Sequence, residues 1–502
     1  MIIFVNPRAT RPKNRRFPLS IMSVAAALPD GVSWEIVDGN RPGCDPLAEI
    51  AGMIEARAGG PDPVRMLAMT VMPGPQLVSA VPLARALKEG YPGIPIVWGG
   101  YFPSLYPSPV LDSNYVDWVV RGQGEQTFVE LLDVVDDRRD PATVAGLAWR
   151  DGEDHRIGPE RPWIGPDELP PPPYHRIAID DYLQPTILGE RSGVYQASIG
   201  CPYGCKFCGV ISVFGSREKM QSPARTAEHL GMLAREHGMD SVHFYDNNFF
   251  IREEHAIELC ERLEPLGLAW WCEARIDALL RFSDDTWRAI RKAGLRMVFL
   301  GAESGSNDVL RRMNKKLTTE QTLELAARAK EHDIIPEFSF VLGDPDDPEG
   351  EIENTLAFIR QLKDVNPAME LITYFYTPTP QRRGTYGDVD ALAGTPPTLE
   401  EWIEPEWVAW MTHENPEVPW LDGRLKARVQ DFEVVLKSRF PSLNDYRTAR
   451  WGKALSRILA ERRWRNGYYD NPRLLRAVRR WSRAASDRQE YGHLRPAAGR
   501  GL

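Results

Sequence analysis

A loop with three cysteines stands out in the sequence: from Ser198 to Gly209 it reads Ser-Ile-Gly-Cys-Pro-Tyr-Gly-Cys-Lys-Phe-Cys-Gly, which places thiols at Cys201, Cys205 and Cys208. A strand-like apolar run precedes it, so we expect a loop at the carboxyl end of a strand. A four-iron cluster usually takes four thiolates. Three ligands leave one iron open to chelate a small molecule. The spacing therefore predicts an iron–sulfur centre with one open coordination position.

Two other cysteine sites are alternatives to this centre. A structural zinc site normally has a second Cys-x2-Cys or Cys/His pair, and the sequence has none. A ferredoxin-like cluster needs a fourth cysteine close by. The other cysteines, Cys44, Cys260 and Cys272, fall in other predicted elements, and we interpret them as small, partly buried side chains.

A second series of strands and helices starts at the cysteine loop. Six strand-like runs alternate with five helical patterns, which fits a partial (β/α)6 barrel better than a flat sheet. The predicted strands are 194–199, 241–245, 269–272, 297–300, 337–341 and 370–375. The predicted helices are 224–236, 253–263, 284–292, 319–331 and 351–363.

The amino-terminal part of the chain has the same alternation. Short apolar runs at 2–5, 33–37, 65–72, 94–98 and 118–120 are separated by helical patterns at 21–28, 46–58, 77–89 and 125–135. This order predicts an α/β fold with a parallel, doubly wound sheet. Ligands of such sheets lie at the carboxyl ends of the strands, where polar and Gly-rich segments fall.

We expect four parts in the chain. Residues 1–137 form the doubly wound, Rossmann-like domain, and 138–185 form a hairpin around Asp151-Gly152 with a Pro-rich linker. Residues 186–385 form the partial barrel. Residues 386–502 lose the alternation and read as a helical region, with Arg concentrated near its end.

Composition narrows the class of protein. The formal net charge of -9 argues against nucleic-acid binding, which needs a basic surface. Prolines at 73, 75 and 82 interrupt the longest uncharged stretch, so we expect no membrane contact. Six cysteines in so long a chain are not a disulfide framework. We therefore expect a cytoplasmic protein.

The Cys-x3-Cys-x2-Cys spacing, with an aromatic residue before the last cysteine, resembles the signature of the radical S-adenosylmethionine (radical SAM) superfamily. The resemblance implies a [4Fe-4S] cluster whose open iron binds S-adenosylmethionine, and an external one-electron donor of the flavodoxin or ferredoxin type. It also implies a S-adenosylmethionine site formed by Phe207, Asp246, Asn247, Asn248, Arg275, Glu303, Ser304 and Gly343. The fifth strand departs from the family pattern, since it ends in Gly-Asp-Pro-Asp-Asp rather than Gly-x-Pro-x-Glu.

The amino-terminal segments 99–104 and 119–125 resemble the cobalamin (B12)-binding domain that precedes the radical SAM domain in one subgroup. That subgroup includes the anaerobic magnesium-protoporphyrin ester cyclase and the hopanoid methylases. By this resemblance we expect cobalamin contacts from Asn6, Thr70, Gly99, Gly100, Tyr101, Pro103, Gly122, Gly124 and Glu125. A domain that keeps the fold without the cofactor is the alternative.

Histidine is absent from the first 150 residues, the earliest being His155. The Asp-x-His-x-x-Gly motif that supplies a lower imidazole ligand in some cobalamin proteins is therefore missing. If cobalamin binds, we expect water, a non-histidine side chain or nothing on its lower face.

The resemblance implies an enzyme that methylates an unactivated carbon of a small-molecule substrate, using methylcobalamin and a 5'-deoxyadenosyl radical. An enzyme with the same cofactors that performs a cyclisation, rearrangement or oxidation is the first alternative. A non-enzymatic iron–sulfur electron carrier is the second.

Overall fold

The computed structural model describes residues 1–11, 14–379, 386, 395–443, 445 and 448–483. Two separate parallel sheets with flanking helices account for most of the described chain. The predicted α/β class is therefore confirmed. A helical region follows the second sheet, also as predicted.

The amino-terminal sheet has seven strands in the order β2-β1-β3-β4-β5-β6-β7. Their bounds are β1 Ile2–Asn6, β2 Trp34–Asp38, β3 Met66–Thr70, β4 Ile96–Gly99, β5 Trp118–Val120, β6 Leu147–Asp151 and β7 Asp154–Ile157. The first five are parallel, and the β6–β7 hairpin continues the sheet in antiparallel pairing with β5. The sheet thus extends beyond residue 137, where we expected the first domain to end.

Six helices accompany this sheet: α1 Leu19–Ala26, α2 Pro46–Arg57, α3 Pro75–Gly90, α4 Tyr101–Leu105, α5 Pro107–Asp112 and α6 Glu125–Val135. Four of them match predicted helices. The short helices α4 and α5 were not predicted, because their prolines and Gly99-Gly100 read as a loop. Proline at the first helical position is compatible with a helix, and Pro107 begins α5 in this way.

The second sheet is a six-stranded parallel sheet in the order β15-β14-β13-β12-β11-β8, open between its edges β15 and β8. The strands of this half are β8 Ser192–Tyr195, β9 Ser198–Cys201, β10 Arg217–Met220, β11 Ser241–Phe244, β12 Ala269–Ala274, β13 Leu295–Glu303, β14 Ile335–Leu342 and β15 Glu370–Phe375. The predicted single strand 194–199 is wrong. The chain leaves the sheet after Tyr195, and β9 pairs instead with β10 in a two-stranded antiparallel sheet.

The helices of this half are α7 Gly209–Phe214, α8 Pro223–His237, α9 Glu253–Leu263, α10 Ile276–Leu279, α11 Asp284–Lys292, α12 Asn307–Arg312, α13 Thr319–Glu331 and α14 Pro348–Val365. Local chemistry sets several starts. Thr318 and Gln321 form a reciprocal capping box at α13, and the Ser283 side chain caps α11. These caps agree with the predicted starts of both helices.

Five carboxy-terminal helices follow the second sheet in the chain, and they pack against one sheet or the other: α15 Leu399–Trp402, α16 Pro405–Thr412, α17 Gly423–Arg439, α18 Arg450–Arg465 and α19 Arg473–Trp481. Trp402 belongs to the amino-terminal core, where its ring lies 5.3 Å from that of Phe102 and 4.7 Å from that of Tyr106. Phe432 of α17 belongs to the core of the second sheet. None of the helices in the described ranges has the length and apolar character needed to cross a bilayer.

Candidate active site between the two sheets

One continuous cavity of about 3510 Å³ runs between the carboxyl ends of the amino-terminal strands and the interior of the second sheet. Its lining includes Gly100 at the first end, Phe207 of the cysteine loop, and Glu337 inside the second sheet. A single space of this size can hold a large cofactor together with a small substrate. Its location agrees with the general position of ligands in parallel sheets.

The structure brings almost all of the predicted cobalamin contacts together at one end of the cavity. With the exception of Pro103, which is buried in α4, the predicted residues line it: Asn6, Thr70, Gly99, Gly100, Tyr101, Gly122, Gly124 and Glu125. They come from the carboxyl ends of β1, β3, β4 and β5 and from the segments that follow. The histidines among the described lining residues are His243 and His413, both outside the first 150 residues.

Two observations show that this end suits a corrinoid. Gly100 has φ +101°, and an added Cβ would lie 3.0 Å from the backbone nitrogen and oxygen of Val71, so the strand end stays flat and close to its neighbour. The Glu125 side chain accepts a hydrogen bond from Ser23 Oγ at 2.6 Å through Oε1, whereas the buried Oε2 has no protein partner. Such an oxygen is available to an amide group of a bound cofactor.

The segment after α12 holds the cysteine loop in place. Asn314 Nδ2 donates a hydrogen bond to the Gly204 carbonyl at 2.6 Å, and Lys206 N donates to the Met313 carbonyl at 3.0 Å. No group of three or more Cys, His, Asp or Glu side chains in the described residues encloses a single ion. A cubane cluster differs from a single ion, since each of its thiolates binds a different iron, and three cysteines on one loop supply the donors it requires.

Two cations lie next to these thiols. Arg275 Nη1 donates to Cys205 Sγ at 3.4 Å, and its guanidinium lies 3.8 Å from the ring centre of Tyr203. Burial raises the pKa of Cys201, while Arg275 and Lys315 oppose that rise. Burial also raises the pKa of Cys208 to about 12. A metal that binds here displaces protons, and the two cations favour the thiolates that it needs.

Lys315 is a site residue that was not predicted as one. Its Nζ lies 2.6 Å from Glu303 Oε1, and both side chains are buried. Glu303 itself ends β13 with φ +65°, an uncommon backbone conformation for a non-glycine residue. Such strain is typical of functional sites. The only sequence signal for Lys315 was its place in the segment that follows β13 and α12.

The three polar residues 246–248, which follow β11 and Tyr245, differ in their environment. Asn247 lines the cavity, whereas Asp246 and Asn248 are fully buried. Asp246 Oδ2 accepts from Ala197 N at 3.2 Å, and Asn248 Oδ1 accepts from Arg275 N at 3.1 Å. Burial raises the pKa of Asp246 to about 7. Both buried side chains thus connect β11 to the cysteine loop or to β12, and their role as S-adenosylmethionine contacts stays a prediction.

Ser304 and Gly343 are joined by one buried carboxylate. Glu351 accepts from Ser304 Oγ at 3.0 Å and from Gly343 N at 2.9 Å. Gly343 has φ +86°, and an added Cβ would lie 2.7 Å from Leu421. The pair therefore fixes the carboxyl ends of β13 and β14 against α14. Of the predicted S-adenosylmethionine contacts, Phe207 and Asn247 are the ones that line the cavity.

The two halves of the molecule touch where Tyr101 meets Gly209. A Cβ added to Gly209 would overlap the Tyr101 hydroxyl group. Burial raises the pKa of Tyr101, and the nearby Cys208 adds to that rise. A residue from the predicted cobalamin end thus lies directly beside the last cysteine of the loop.

Comparisons with known proteins agree with this architecture. Residues 195–359 match the Radical SAM superfamily model, and residues 8–132 match the B12 binding domain model. An uncharacterized methyltransferase of Pyrococcus horikoshii is 30% identical over 370 residues, which cover 73% of this chain and 77% of the relative. The chain belongs to the radical SAM superfamily. Its B12-binding domain places it with the cobalamin-dependent members, as the cysteine loop and the 99–104 and 119–125 segments predicted.

Two further relatives extend the comparison. The anaerobic magnesium-protoporphyrin IX monomethyl ester cyclase of Rubrivivax gelatinosus is 28% identical over 327 residues. The matched part covers 57% of the length of that cyclase. The radical SAM methyltransferase TsrM from Kitasatospora setae, solved with cobalamin and a [4Fe-4S] cluster bound, superposes with a TM-score of 0.60. At 17% identity, covering 93% of this chain and 99% of TsrM, that likeness shows a shared fold.

Proposed function

We propose that this radical SAM enzyme transfers a methyl group to an unactivated carbon of a small-molecule substrate. The continuous cavity carries the proposal, because it connects the glycine-lined strand ends to Phe207 of the cysteine loop. When bound, the cluster with S-adenosylmethionine supplies hydrogen abstraction, and cobalamin supplies the methyl group. The Pyrococcus relative, described as a methyltransferase, supports the same reaction class.

In this proposal Cys201, Cys205 and Cys208 hold the cluster. Arg275 and Lys315 stabilise its negative charge, and the contacts of Gly204 and Lys206 with the segment after α12 fix the loop. Phe207 and Asn247 face the nucleotide, because they are the predicted contacts exposed to the cavity. An external flavodoxin or ferredoxin supplies the electron. The six free cysteines suit the reducing cytoplasm as its location.

At the other end, the chain binds the corrinoid mainly through backbone and small side chains. Gly99, Gly100 and Gly122 present backbone to the cavity, and Glu125 offers an oxygen to the amide groups of the corrinoid. Helix α16 lines this end of the cavity with Val408, Ala409 and Thr412. These side chains would shield a bound corrinoid from water.

The test is anaerobic purification with cobalamin supplied, followed by cluster reconstitution and assay with S-adenosylmethionine and reductant. We expect a bound corrinoid, and S-adenosylhomocysteine in an amount matching that of 5'-deoxyadenosine. Corrinoid with 5'-deoxyadenosine but no S-adenosylhomocysteine would overturn methyl transfer in favour of a cyclisation or rearrangement, the reaction class of the Rubrivivax relative. Absence of 5'-deoxyadenosine would indicate an electron carrier.

A further inference from the structure

Carboxylates on neighbouring strands form a row across the face of the second sheet that lines the cavity. In the parallel register Glu273 pairs with Phe299, Phe299 with Glu337, and Glu337 with Glu370. Register partners on neighbouring strands face the same side of a sheet and lie about 4.8 Å apart. Phe299, Glu337 and Glu370 all line the cavity. Three acidic side chains therefore share one wall with an aromatic ring between them.

Glu337 is the least satisfied member of this row. Only 2% of it is exposed, and its Oε2 has no hydrogen-bond partner. Burial raises the pKa of Glu337 to about 8, with smaller contributions from Glu370 and Glu273. Burial likewise raises the pKa of Glu273 to about 8, and Asp246 adds to it. A carboxylate that is buried, close to other carboxylates and without a hydrogen-bond partner destabilises the folded protein. A ligand that supplies a positive charge or a hydrogen-bond donor offsets this cost.

The cations around the cavity interact with other groups. Lys363 Nζ donates to the Pro367 and Met369 carbonyls, and burial lowers its pKa to about 8. Lys437 lies 2.6 Å from Glu433, and Arg476 lies 2.7 Å from Asp431. Over the described ranges, no ion pair involves Glu273, Glu337 or Glu370. Glu370 is partly compensated, because its Oε1 accepts from Leu443 N at 2.8 Å and the charges of Lys363 and Lys437 oppose the rise that burial causes in its pKa. Glu273 and Glu337 are the members of the row without such compensation in the described residues.

The rest of this wall is aromatic. The rings of His243 and Trp271 stack with their centres 3.8 Å apart, and both line the cavity beside Phe299. Trp271 lies two residues before Glu273, on the same face of its strand. Aromatic faces attract cations, most strongly where water is excluded. Carboxylates combined with such faces form a typical site for an ammonium or guanidinium group.

We propose that the interior of the second sheet binds a substrate group with a protonated nitrogen, with Glu337 as its principal partner. The proposal rests on the proposed function, since it names the substrate class of the same cavity. Glu273 and Glu370 add negative potential, while Trp271 and Phe299 cover the apolar part of the ligand. A cation bound here offsets the free-energy cost of burying an ionised Glu337 and reduces the repulsion between the carboxylates of the row.

The test measures binding in the absence of turnover. Anaerobic holoenzyme with S-adenosylmethionine, but without reductant, is titrated calorimetrically with phenethylamine, with the uncharged 2-phenylethanol and with the anionic 3-phenylpropanoate. We expect the amine to bind at least about tenfold more tightly than either analogue. Glu337→Gln weakens the amine by about tenfold to a hundredfold and leaves the alcohol unchanged.

Glu433→Gln is the matched control, because it removes the same charge from the cavity lining at a carboxylate paired with Lys437. We expect it to change amine binding less than about twofold. An equal loss in both variants, equal binding of amine and alcohol, or tighter binding of 3-phenylpropanoate would each overturn the proposal. Circular dichroism and iron content verify that Glu337→Gln folds and holds its cluster; if it does not, Glu337→Asp, which keeps the charge, must retain amine selectivity.

This measurement is independent of the methyl-transfer assay. A holoenzyme that binds amines through Glu337 but forms no S-adenosylhomocysteine would contradict the proposed function alone. A holoenzyme that forms S-adenosylhomocysteine and corrinoid complexes but discriminates against amines would contradict the substrate class alone.

Discussion

The two ends of the cavity are built from different groups. At the amino-terminal end, Gly99, Gly100 and Gly122 present backbone to the space, and Glu125 is the one predicted contact there with an acidic side chain. At the other end, Glu337 within β14 and Glu370 at the start of β15 line the cavity among aromatic rings. Backbone surfaces suit a large ligand of many amides, whereas buried carboxylates suit a small charged group. In the two proposals above, the cavity thus separates cofactor binding from substrate selection.

The largest expected effect comes from a substitution in the cysteine loop, which lies between the two ends of the cavity. In Cys205→Ala we expect complete loss of 5'-deoxyadenosine formation, because the cluster loses a ligand and Arg275 loses its sulfur partner. Corrinoid content should change less than about twofold, since the strand ends that hold it are untouched. Chromatography of the products measures 5'-deoxyadenosine, absorbance spectra measure the corrinoid, and iron analysis measures the cluster. Cys260→Ala, at a buried cysteine outside the loop, is the control and should keep its iron.

The second test breaks the backbone end. Gly100→Ala places a methyl group 3.0 Å from the Val71 backbone at φ +101°. We expect at least about a tenfold loss of bound corrinoid with the cluster intact, because a side chain in this glycine-favoured conformation costs about 1–3 kcal/mol and the added methyl group pushes the strand end away from Val71. Gly31→Ala, at φ +86° with nothing within 4 Å of the added Cβ, controls for the positive φ alone. Equal loss in both variants would contradict a role for the close approach of Gly100 to Val71.

The third test addresses the contact between the two halves. Gly209→Ala would push against the Tyr101 hydroxyl group, and we expect 5'-deoxyadenosine formation to fall by about threefold to tenfold. Tyr101→Phe alone should have little effect on that rate. The double variant should recover only part of the loss, because the overlapping oxygen is gone but the Tyr101 Cζ atom would still lie 2.7 Å from the added Cβ. Additive losses would show that Gly209 is needed for another reason.

The smallest expected effect concerns stability at the acidic end. A carboxyl group whose pKa is raised on folding favours the protonated folded protein, so its penalty is absent near pH 4 and grows as the pH rises towards 8. Glu337→Gln removes that penalty. We expect an increase in Tm on the order of 2 °C at pH 8 and less at pH 5. Calorimetry of the holoenzyme measures both, and a lower Tm at pH 8 would indicate that Glu337 has a native partner.

The difference between the two ends of the cavity also explains which parts of the structure could be predicted from the sequence. Strands β1 to β5 could be predicted because their apolar runs are bounded by turn residues. The predicted cobalamin contacts, which were placed at the ends of these strands, line the cavity with the exception of Pro103. Helix α4 was missed, since Gly100 and Pro103 suggested a loop. The acidic row was missed for another reason. Glu273, Glu337 and Glu370 are far apart in the chain, and only the register of four strands brings them together.

The S-adenosylmethionine contacts lie between these cases. The sequence identified strand ends correctly, but it could not distinguish a side chain that faces the cavity from one that supports its neighbour. Asn247 faces the cavity, while Asn248 holds Arg275 and Ser304 is held by Glu351. Orientation at a strand end depends on the local turn, which polarity alone does not specify. Lys315 became visible only through its contact with Glu303.

The position of Trp402 has a consequence for biosynthesis and for the design of fragments. Its ring completes the core formed by Phe102 and Tyr106, so that core is finished only after the ribosome has passed residue 402 of 502. Until then, the nascent amino-terminal sheet has an uncovered apolar face. Recombinant fragments that end after the first sheet would keep this apolar surface exposed to solvent and would tend to aggregate. Fusing residues 399–412 to such a fragment through a short linker would cover it.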